Sequence, residues 1–231
     1  MSRPFSASNY IEIDDKKYIY LNDDNPQPAY FQKDIAFVAQ PIKGKTPNII
    51  TVPLMMTDDW QIISEDENIV NELRSIKKNH SFNFIGQSGY AGREVFRNLD
   101  LQDYLFRETK PVYGLPKDEK LKTLKNFLTE IATAKFVFSP RGIGSSSFRA
   151  YQSMMVGSIP IITGMNDYPF SNEVDWDSIC IRGELHDIKN LISKAQHMSD
   201  EQYSAMRRNA MNFWDNYCRH DKLHDKLKEL V

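Results

Sequence analysis

Two short apolar runs separated by one helix-length segment limit most strongly how this chain can fold. The runs "KFVFS" (135–139) and "SIPIIT" (158–163) have the length and composition of buried strands. The segment between them carries apolar side chains at helical spacing and ends at Gly157, where a left-handed helix C-cap is expected. A strand, a helix and a second strand in this order predict a βαβ unit with two parallel strands.

The same alternation extends over the chain from residue 81 onwards. Further strands are predicted at "SFNFIG" (81–86) and, as an edge strand, at "SICIRG" (178–183), and further helices at 118–134 and 186–198. A last helix is predicted to start at Ser199, with Gln202 three residues later completing a capping box, and to run on towards residue 230. Alternating strands and helices predict an α/β fold with a doubly wound parallel sheet.

The first third of the chain has weaker signals of the same kind. The predicted strands are "KYIYL" (17–21), "DIAFVAQ" (34–40) and "NIITVPLM" (48–55), followed by a helix over 64–79 that Ser64 can cap. We therefore predict two domains, a small α/β domain over 1–78 and a larger one over 79–231.

Charge and composition exclude several classes of protein. The formal net charge of -2 provides no field that would attract nucleic acid. The two cysteines, Cys180 and Cys218, have no metal-ligand spacing. The first residues lack the apolar core of a signal peptide, and no run reaches the ~20 apolar residues of a membrane-spanning helix.

Arginines and serines are concentrated where the strand at 135–139 gives way to the following helix. The stretch "SPRGIGSSSFRAYQ" contains Arg141, Arg149 and a serine cluster in which Ser145 or Ser146 can cap the helix. Ligands of such sheets bind at the carboxyl ends of the strands, and a helix N-terminus attracts anions. The turn is therefore either a diphosphate cradle or a capped helix whose arginines pair with surface acids, and spacing alone leaves both interpretations open.

A second glycine-rich turn follows the strand at 81–86. "FIGQSGYAGREVF" resembles a dinucleotide-binding turn, but its spacing is GxxGxxG, and no acidic residue follows at the end of a second strand about 20 residues on. Arg93 and Arg97 lie after it on one helix face. This turn either binds a phosphate or is a glycine-rich connector whose arginines are solvated. The residues considered without any family resemblance favour the connector.

Several short motifs in a fixed order resemble one family. "FSPRGIGSSSFRAYQSMMVGSIPIIT", then "YPF" (168–170) and "VDW" (174–176), is similar to the signature of the exostosin-like glycosyltransferases, glycosyltransferase family 47. The resemblance covers about residues 80–215. It implies a GT-B fold, in which two Rossmann-like domains hold a nucleotide-sugar between them. The 1–78 domain would be a reduced acceptor-side domain, and 79–231 would bind the nucleotide-sugar.

The resemblance also implies roles for individual residues. Arg93 would face the diphosphate, and Arg141 and Gly142 would shape the loop beside it. The phosphate and the sugar would be lined by Ser145, Ser146, Ser147 and Arg149. Gln152 stands where the family usually has a glutamate that holds the ribose, so the charge expected there is missing.

The activity implied is an inverting transfer from a nucleoside-diphosphate sugar, most simply a UDP-sugar, to a hydroxyl of an oligosaccharide or glycoprotein glycan. Asp23 and Asp24 are the candidates for the base that takes the acceptor proton, ahead of Asp58 and Asp59. The "DWD" at 175–177 has the form of a metal-binding motif, but the family pattern already explains it. No metal and no cofactor beyond the donor is expected. Small size and the lack of an anchor suit a cytoplasmic enzyme, of a bacterium or of a host cell infected by a large DNA virus.

Two other classes of function compete with this interpretation. A nicotinamide-dependent oxidoreductase would use the "GQSGYAG" turn, although the spacing and the missing acidic partner count against it. A non-catalytic module that binds a nucleotide-sugar or a glycan is compatible with Gln152 and with the short N-terminal domain. Such a module would bind without turnover.

Overall fold

The computed structural model describes residues 10–21, 35–39, 49–54, 58–110, 114–142 and 144–231, and all structural statements below refer to these. The first part contains a four-stranded sheet in the order β1-β2-β3-β4, with β1 antiparallel to β2 and the other neighbours parallel. Its strands are β1 (Tyr10–Ile13), β2 (Lys16–Leu21), β3 (Ala36–Val38) and β4 (Ile49–Thr51). Helices α1 (Asp58–Glu65) and α2 (Glu67–Ser75) follow.

The second part contains a five-stranded, entirely parallel sheet in the order β6-β5-β7-β8-β9. Its strands are β5 (His80–Gly86), β6 (Tyr104–Glu108), β7 (Ala134–Pro140), β8 (Ile159–Thr163) and β9 (Ile181–Gly183). The helices of this part are α3 (Lys117–Ala132), α4 (Phe148–Met155), α5 (Ile188–Gln196), α6 (Asp200–Phe213) and α7 (His220–Glu229). The predicted α/β class with parallel strands is therefore confirmed, and the two sheets are consistent with a GT-B-type fold.

Two of the predicted helices differ from the observed ones. The helix predicted over 64–79 corresponds to α2, which begins later because Asp66 caps it by accepting hydrogen bonds from the backbone N–H of Asn68 and Ile69. The predicted cap, Ser64, lies instead in α1, a helix that was not predicted. The last predicted helix does have the Ser199–Gln202 capping box, but it is interrupted by a π-helical turn at Trp214–Cys218 before α7 begins. The segment after the glycine-rich turn is a 3-10 helix, Arg93–Asn98.

Two strands were not predicted from the sequence. In the described sheets, β1 is the outer strand beside β2, and β6 is one of the two outer strands of the second sheet. The β6 residues are half-buried or exposed, so that their sequence, "YLFRE", lacks the apolar run of an inner strand.

The buried side chains of the two parts form one continuous cluster. Phe37 and Val52 of the first part pack in the same cluster as Leu128 and Met154 of the second. A separate aromatic cluster covers the other face of the second sheet, with Phe84 stacked on Phe96 at 4.8 Å between ring centroids. The division into domains at 78/79 stays a prediction.

The C-terminal segment returns to the first part of the chain. Arg74 of α2 donates two hydrogen bonds to the carboxylate of Asp215, at 2.8 and 3.0 Å. Arg219 pairs with Glu67 at 3.0 Å. These contacts fasten the end of the chain beside α2. None of the helices within the described ranges is both long and apolar enough to cross a membrane.

Candidate functional site

The turns that follow β5, β7 and β8 meet at the carboxyl edge of the second sheet. The turn after β7 is held to β8 by the backbone N–H of Arg141, which donates to the carbonyl of Thr163 at 2.9 Å. It closes on itself through the N–H of Gly142, which donates to the carbonyl of Ser146 at 2.8 Å. These contacts place the predicted Arg141–Gly142 loop directly before α4.

Arg149, in the first turn of α4, is buried at this edge. Its side chain is 8% exposed, and its guanidinium lies over the ring of Phe84, 4.6 Å from the centroid. Nη1 donates only a long hydrogen bond, 3.4 Å, to the carbonyl of Phe138, and Nε has no partner. In the part of the chain that the structure describes, no carboxylate pairs with Arg149. Burial, followed by repulsion from Arg93, lowers the pKa of Arg149 to about 9.

Gly86 makes the position of Arg149 possible. A β-carbon on residue 86 would overlap the Nη2 atom of Arg149. The glycine at the end of β5 is therefore required because a side chain from another turn occupies the space beside it. The first glycine of the GxxGxxG turn and the arginine of the serine-rich turn form one structural unit.

Arg93 is buried as well, but it contacts the protein itself. Its side chain is 4% exposed and donates five hydrogen bonds. The shortest reach the carbonyl of Arg141, at 2.6 Å, and the hydroxyl of Tyr90, at 2.7 Å. Arg93 thus ties the two turns together, and its donors point at protein atoms. Its expected contact with a diphosphate stays a prediction.

Arg97 and Glu108 fix the glycine-rich turn through an ion pair and hydrogen bonds. Its Nη2 pairs with Glu108 at the end of β6, at 3.0 Å. The same carboxylate accepts from the hydroxyl and the backbone N–H of Ser88, at 2.6 and 2.8 Å. The hydrogen bonds from Ser88, followed by those from Arg97, lower the pKa of Glu108 to about 2. For Arg97, these contacts favour the connector interpretation of the turn.

The serines are arranged differently from the prediction that Ser145 or Ser146 caps the helix. The N-cap residue of α4 is Ser147, and its side chain makes no capping hydrogen bond. Ser146 and Ser147 are 2% and 5% exposed. The first N–H groups of α4 therefore lie at the turn without a capping hydrogen bond from the Ser147 side chain. Gln152, predicted at the ribose, is also buried in α4, with 3% of its surface exposed.

The side chains of the four aspartates predicted as bases are not among the described parts of the structure. Asp23 and Asp24 are outside the described residues. Asp58 and Asp59 begin α1, but their side chains are likewise not described. A carboxylate that sequence reasoning missed is Asp167, in the loop after β8 and directly before the "YPF" motif, which was the available signal.

Asp167 links the two sheets. It accepts a hydrogen bond from the hydroxyl of Thr51, the last residue of β4. The carboxyl end of an inner strand of the second sheet is therefore joined to the carboxyl end of the first sheet. This contact places an acidic side chain where the two sheets meet.

The "DWD" residues have structural partners. Asp175 accepts from the backbone N–H of Asp177, and Asp177 pairs with Arg182 at 2.7 Å. Trp176 is 2% exposed and donates to the carbonyl of Pro169, so it packs in the core. Over the described ranges, no group of three or more His, Cys, Asp or Glu side chains is arranged to hold a metal ion.

Comparison with known proteins agrees with the motifs. The family model of the Exostosin GT47 domain matches residues 50–198. An "Exostosin-1 homolog" of Caenorhabditis elegans is 28% identical over 90 residues, which are 38% of this chain and 24% of that protein. The chain thus matches about a quarter of the length of this curated relative.

A solved structure agrees with the architecture. A glycosyltransferase from Rickettsia africae ESF-5 superposes with a TM-score of 0.50 at 8% identity, over 92% of this chain and 69% of the other. At that identity the likeness concerns the fold alone. The family model, by contrast, covers more than half of the sequence and includes both turns that hold Arg93 and Arg149. The chain belongs to the exostosin family, glycosyltransferase family 47.

Proposed function

We propose that the protein transfers a sugar, with inversion, from a UDP-sugar to a hydroxyl group of an oligosaccharide or glycoprotein glycan. The observation that carries this proposal is Arg149, a buried guanidinium at the carboxyl edge of a parallel sheet without a described carboxylate partner. A buried charge without a counter-ion destabilises the folded protein unless a ligand supplies the opposite charge. The ligand must therefore be an anion that reaches this edge.

A diphosphate fits these requirements. When a glycosyl bond to a nucleoside diphosphate breaks, negative charge develops on the leaving oxygen. A preorganised cation and a helix N-terminus stabilise that charge in the transition state. Arg149 and the N-terminus of α4 would contact the diphosphate. Arg93 and Arg141 would hold the two turns in the geometry that this needs.

An inverting mechanism also needs a positioned acceptor and a base. A single displacement requires the acceptor hydroxyl to attack from the face opposite the diphosphate, while a base removes its proton. We assign the base to Asp23 or Asp24, and the positioning of the acceptor side to the contact between Asp167 and Thr51. Gln152 would hold the ribose through neutral hydrogen bonds, since an amide both donates and accepts.

The proposal is tested by calorimetric titration with UDP and a panel of UDP-sugars, followed by an assay of UDP release with glycan acceptors. We expect wild type to bind UDP and Arg149→Gln to bind it at least about tenfold more weakly, because a charge-assisted contact is lost. Arg97→Gln is the matched control, since Arg97 pairs with Glu108 outside the proposed contact. Equal UDP affinity in wild type and Arg149→Gln would overturn the proposal.

A second candidate function rests on Gln152. A module that binds a nucleotide-sugar without turnover would retain Arg149 and tolerate the loss of the carboxylate at the ribose position. It predicts UDP-sugar binding but no UDP release with any acceptor. Restoration of turnover by Gln152→Glu would show that the residue, and not the fold, sets the activity.

A further inference from the structure

A second cluster of positive charge lies at the opposite, amino-terminal edge of the second sheet. Lys78 precedes β5, and its ammonium group donates to the carbonyl of Ala132 at 2.7 Å and to the hydroxyl of Ser158 at 2.9 Å. Both acceptors lie beside the first residues of β7 and β8. Because seven strand residues span roughly 20 Å, this edge is well separated from Arg149. The cluster does not belong to the site already described.

Helix α6 brings two arginines to the same place. Arg207 donates to the carbonyls of Gly157 and Arg74, at 2.8 and 3.0 Å, so its hydrogen-bond partners are neutral. Arg208 is exposed beside it. No carboxylate within the described ranges forms an ion pair with Lys78, Arg207 or Arg208. The three cations are therefore held near one another without a compensating negative charge.

Tyr203 adds a hydrogen-bonding group to the cluster. Its hydroxyl is buried and has no hydrogen-bond partner in the part of the chain that the structure describes. Buried hydroxyl groups in native proteins are nearly always bonded, so an unbonded one indicates a missing partner. The ammonium of Lys135 lies 5.3 Å from the centre of the Tyr203 ring and adds a fourth cation to the neighbourhood.

An open cavity of about 400 Å³ lies beside these groups. Its lining consists of Ile76, Lys78, Tyr203, Ser204, Arg207 and Arg208. The lining contains cations, hydroxyl groups and one apolar side chain, but no acid. The volume exceeds the ~30 Å³ share of a water molecule by more than tenfold, so it admits a group larger than a free oxyanion.

An anion in this cavity would stabilise the charge of Lys78. Burial, followed by repulsion from Arg207, lowers the pKa of Lys78 to about 7. Near neutral pH the amine is therefore only partly protonated, and a nearby negative charge favours its protonated form. A bound oxyanion would supply that charge and would also accept a hydrogen bond from Tyr203.

We propose that this cavity is a second ligand site, distinct from the nucleotide-sugar site, that binds a phosphate or sulfate monoester of the size of a sugar. Lys78, Arg207 and Arg208 would contact the oxyanion, and the hydroxyls of Tyr203 and Ser204 would bond to it or to the sugar ring. The site does not depend on the transferase proposal, because it shares no residue with the Arg149 edge.

The test is calorimetric titration of the full chain with inorganic phosphate, glucose 6-phosphate, glucose 6-sulfate and glucose. We expect saturable binding of the two esters, weaker binding of inorganic phosphate and none of glucose. Arg208→Ala should weaken ester binding about tenfold, through loss of a charge-assisted contact, and Tyr203→Phe about fivefold. Arg208 is exposed and Tyr203→Phe removes one oxygen, so both variants should fold.

Two control variants separate this site from other sources of anion binding. Lys189→Ala removes an exposed cation from α5 and should leave ester binding unchanged. Arg149→Ala should abolish UDP binding and leave ester binding intact. The proposal is overturned if neither ester binds to wild type, if Arg208→Ala and Tyr203→Phe bind as tightly as wild type, or if Lys189→Ala weakens binding as much as they do. Loss of ester binding in Arg149→Ala would also overturn it, since the ester would then occupy the nucleotide site.

Discussion

The guanidinium of Arg149 occupies the space that a β-carbon on Gly86 would need. Gly86 is the last residue of β5, and Arg149 lies in the first turn of α4, which follows β7. The two turns are thus fitted to each other, and the unpaired charge reaches the carboxyl edge only because residue 86 has no side chain. Substitutions at either position should affect anion binding together.

Gly86→Ala tests this fit directly. The new methyl group must displace Arg149 from its place over Phe84, because overpacking a buried site forces its neighbours to move, and the positive φ of residue 86 adds backbone strain. We expect the free energy of unfolding to fall by about 1–3 kcal/mol and UDP affinity to fall at least about tenfold. Denaturant unfolding and calorimetric titration measure the two effects.

Gly89 provides the control for this substitution. A β-carbon there meets nothing within 4 Å, although the residue lies in the same turn. Gly89→Ala should therefore stay within about 0.5 kcal/mol of wild type and should bind UDP normally. Unchanged UDP affinity in Gly86→Ala would show that the position of Arg149 does not matter for the ligand.

Replacing Arg149 by methionine separates a ligand-binding role from a structural one. Methionine fills similar space and removes a buried charge whose pKa is lowered to about 9, so the folded protein loses an unfavourable term. We expect the free energy of unfolding to be equal to or higher than that of wild type, within about 2 kcal/mol, while UDP binding is lost. Chemical denaturation of the ligand-free protein gives the comparison.

Arg93→Met is the matched contrast. Arg93 donates five hydrogen bonds that join the two turns, and their loss leaves buried carbonyl groups unsatisfied. The free energy of unfolding should fall by about 3 kcal/mol or more. A similar fall in Arg149→Met would mean that Arg149 is also a structural residue.

The sequence predicted the framework of the site because strand ends and turn residues are local signals. The strands at 81–86, 135–139 and 158–163 are confirmed as β5, β7 and β8, and the turns after them meet as parallel strands require. Gly157 has the predicted left-handed conformation at the end of α4, with φ of +69°. Such features can be predicted because they depend on residues that are close to one another in the sequence.

The parts that were not predicted depend on contacts between distant segments. The burial of Arg149 depends on Phe84 and Gly86, which precede it by a whole βαβ unit. The hydrogen bonds from Arg93 to carbonyl groups at the end of β7 and in the turn after it were likewise not predicted, while its contact with a diphosphate stays a prediction. The Thr51–Asp167 contact joins the two sheets between residues that are 116 positions apart, and hydrophobic periodicity does not predict a pair so distant in the sequence.

The Thr51–Asp167 contact leads to a prediction about the base. Thr51→Val and Asp167→Ala each remove the hydrogen bond between the two sheets, and each should lower the free energy of unfolding by about 1–3 kcal/mol. Because both variants loosen the same contact, kcat should fall by a similar factor in both. Steady-state kinetics with a UDP-sugar and an active acceptor provides the measurement.

The assigned base should behave differently. We compare Asp23→Asn and Asp24→Asn. One of the two variants should lower kcat by about 10²–10⁴-fold with little change in stability, as expected for loss of general base catalysis. If Asp167→Ala abolished turnover while Thr51→Val remained active, Asp167 would be the base and the assignment to Asp23 or Asp24 would be wrong.

The lowered pKa of Lys78 leads to a prediction about how the free energy of unfolding depends on pH. Its pKa in the folded protein is about 7, below that of an unfolded lysine, so between these two values the unfolded chain binds more protons than the folded one. The free energy of unfolding must then rise with pH above about 7, by at most about 1.4 kcal/mol per pH unit. The groups that face Lys78 are Arg207, Arg208 and Tyr203 of α6, with Lys135 of β7 beside Tyr203. Urea unfolding between pH 6.5 and 7.5 stays below the range in which Arg149 loses its proton.

Lys78→Gln isolates this contribution, because glutamine retains a hydrogen-bond donor for Ala132 and Ser158 but does not titrate. The rise of stability with pH should be smaller in the variant than in wild type over the same range. Saturating glucose 6-phosphate should flatten the rise in wild type, since a bound anion keeps Lys78 protonated and raises its pKa. Identical pH profiles for wild type and Lys78→Gln would mean that the pKa of Lys78 is not lowered in the folded protein.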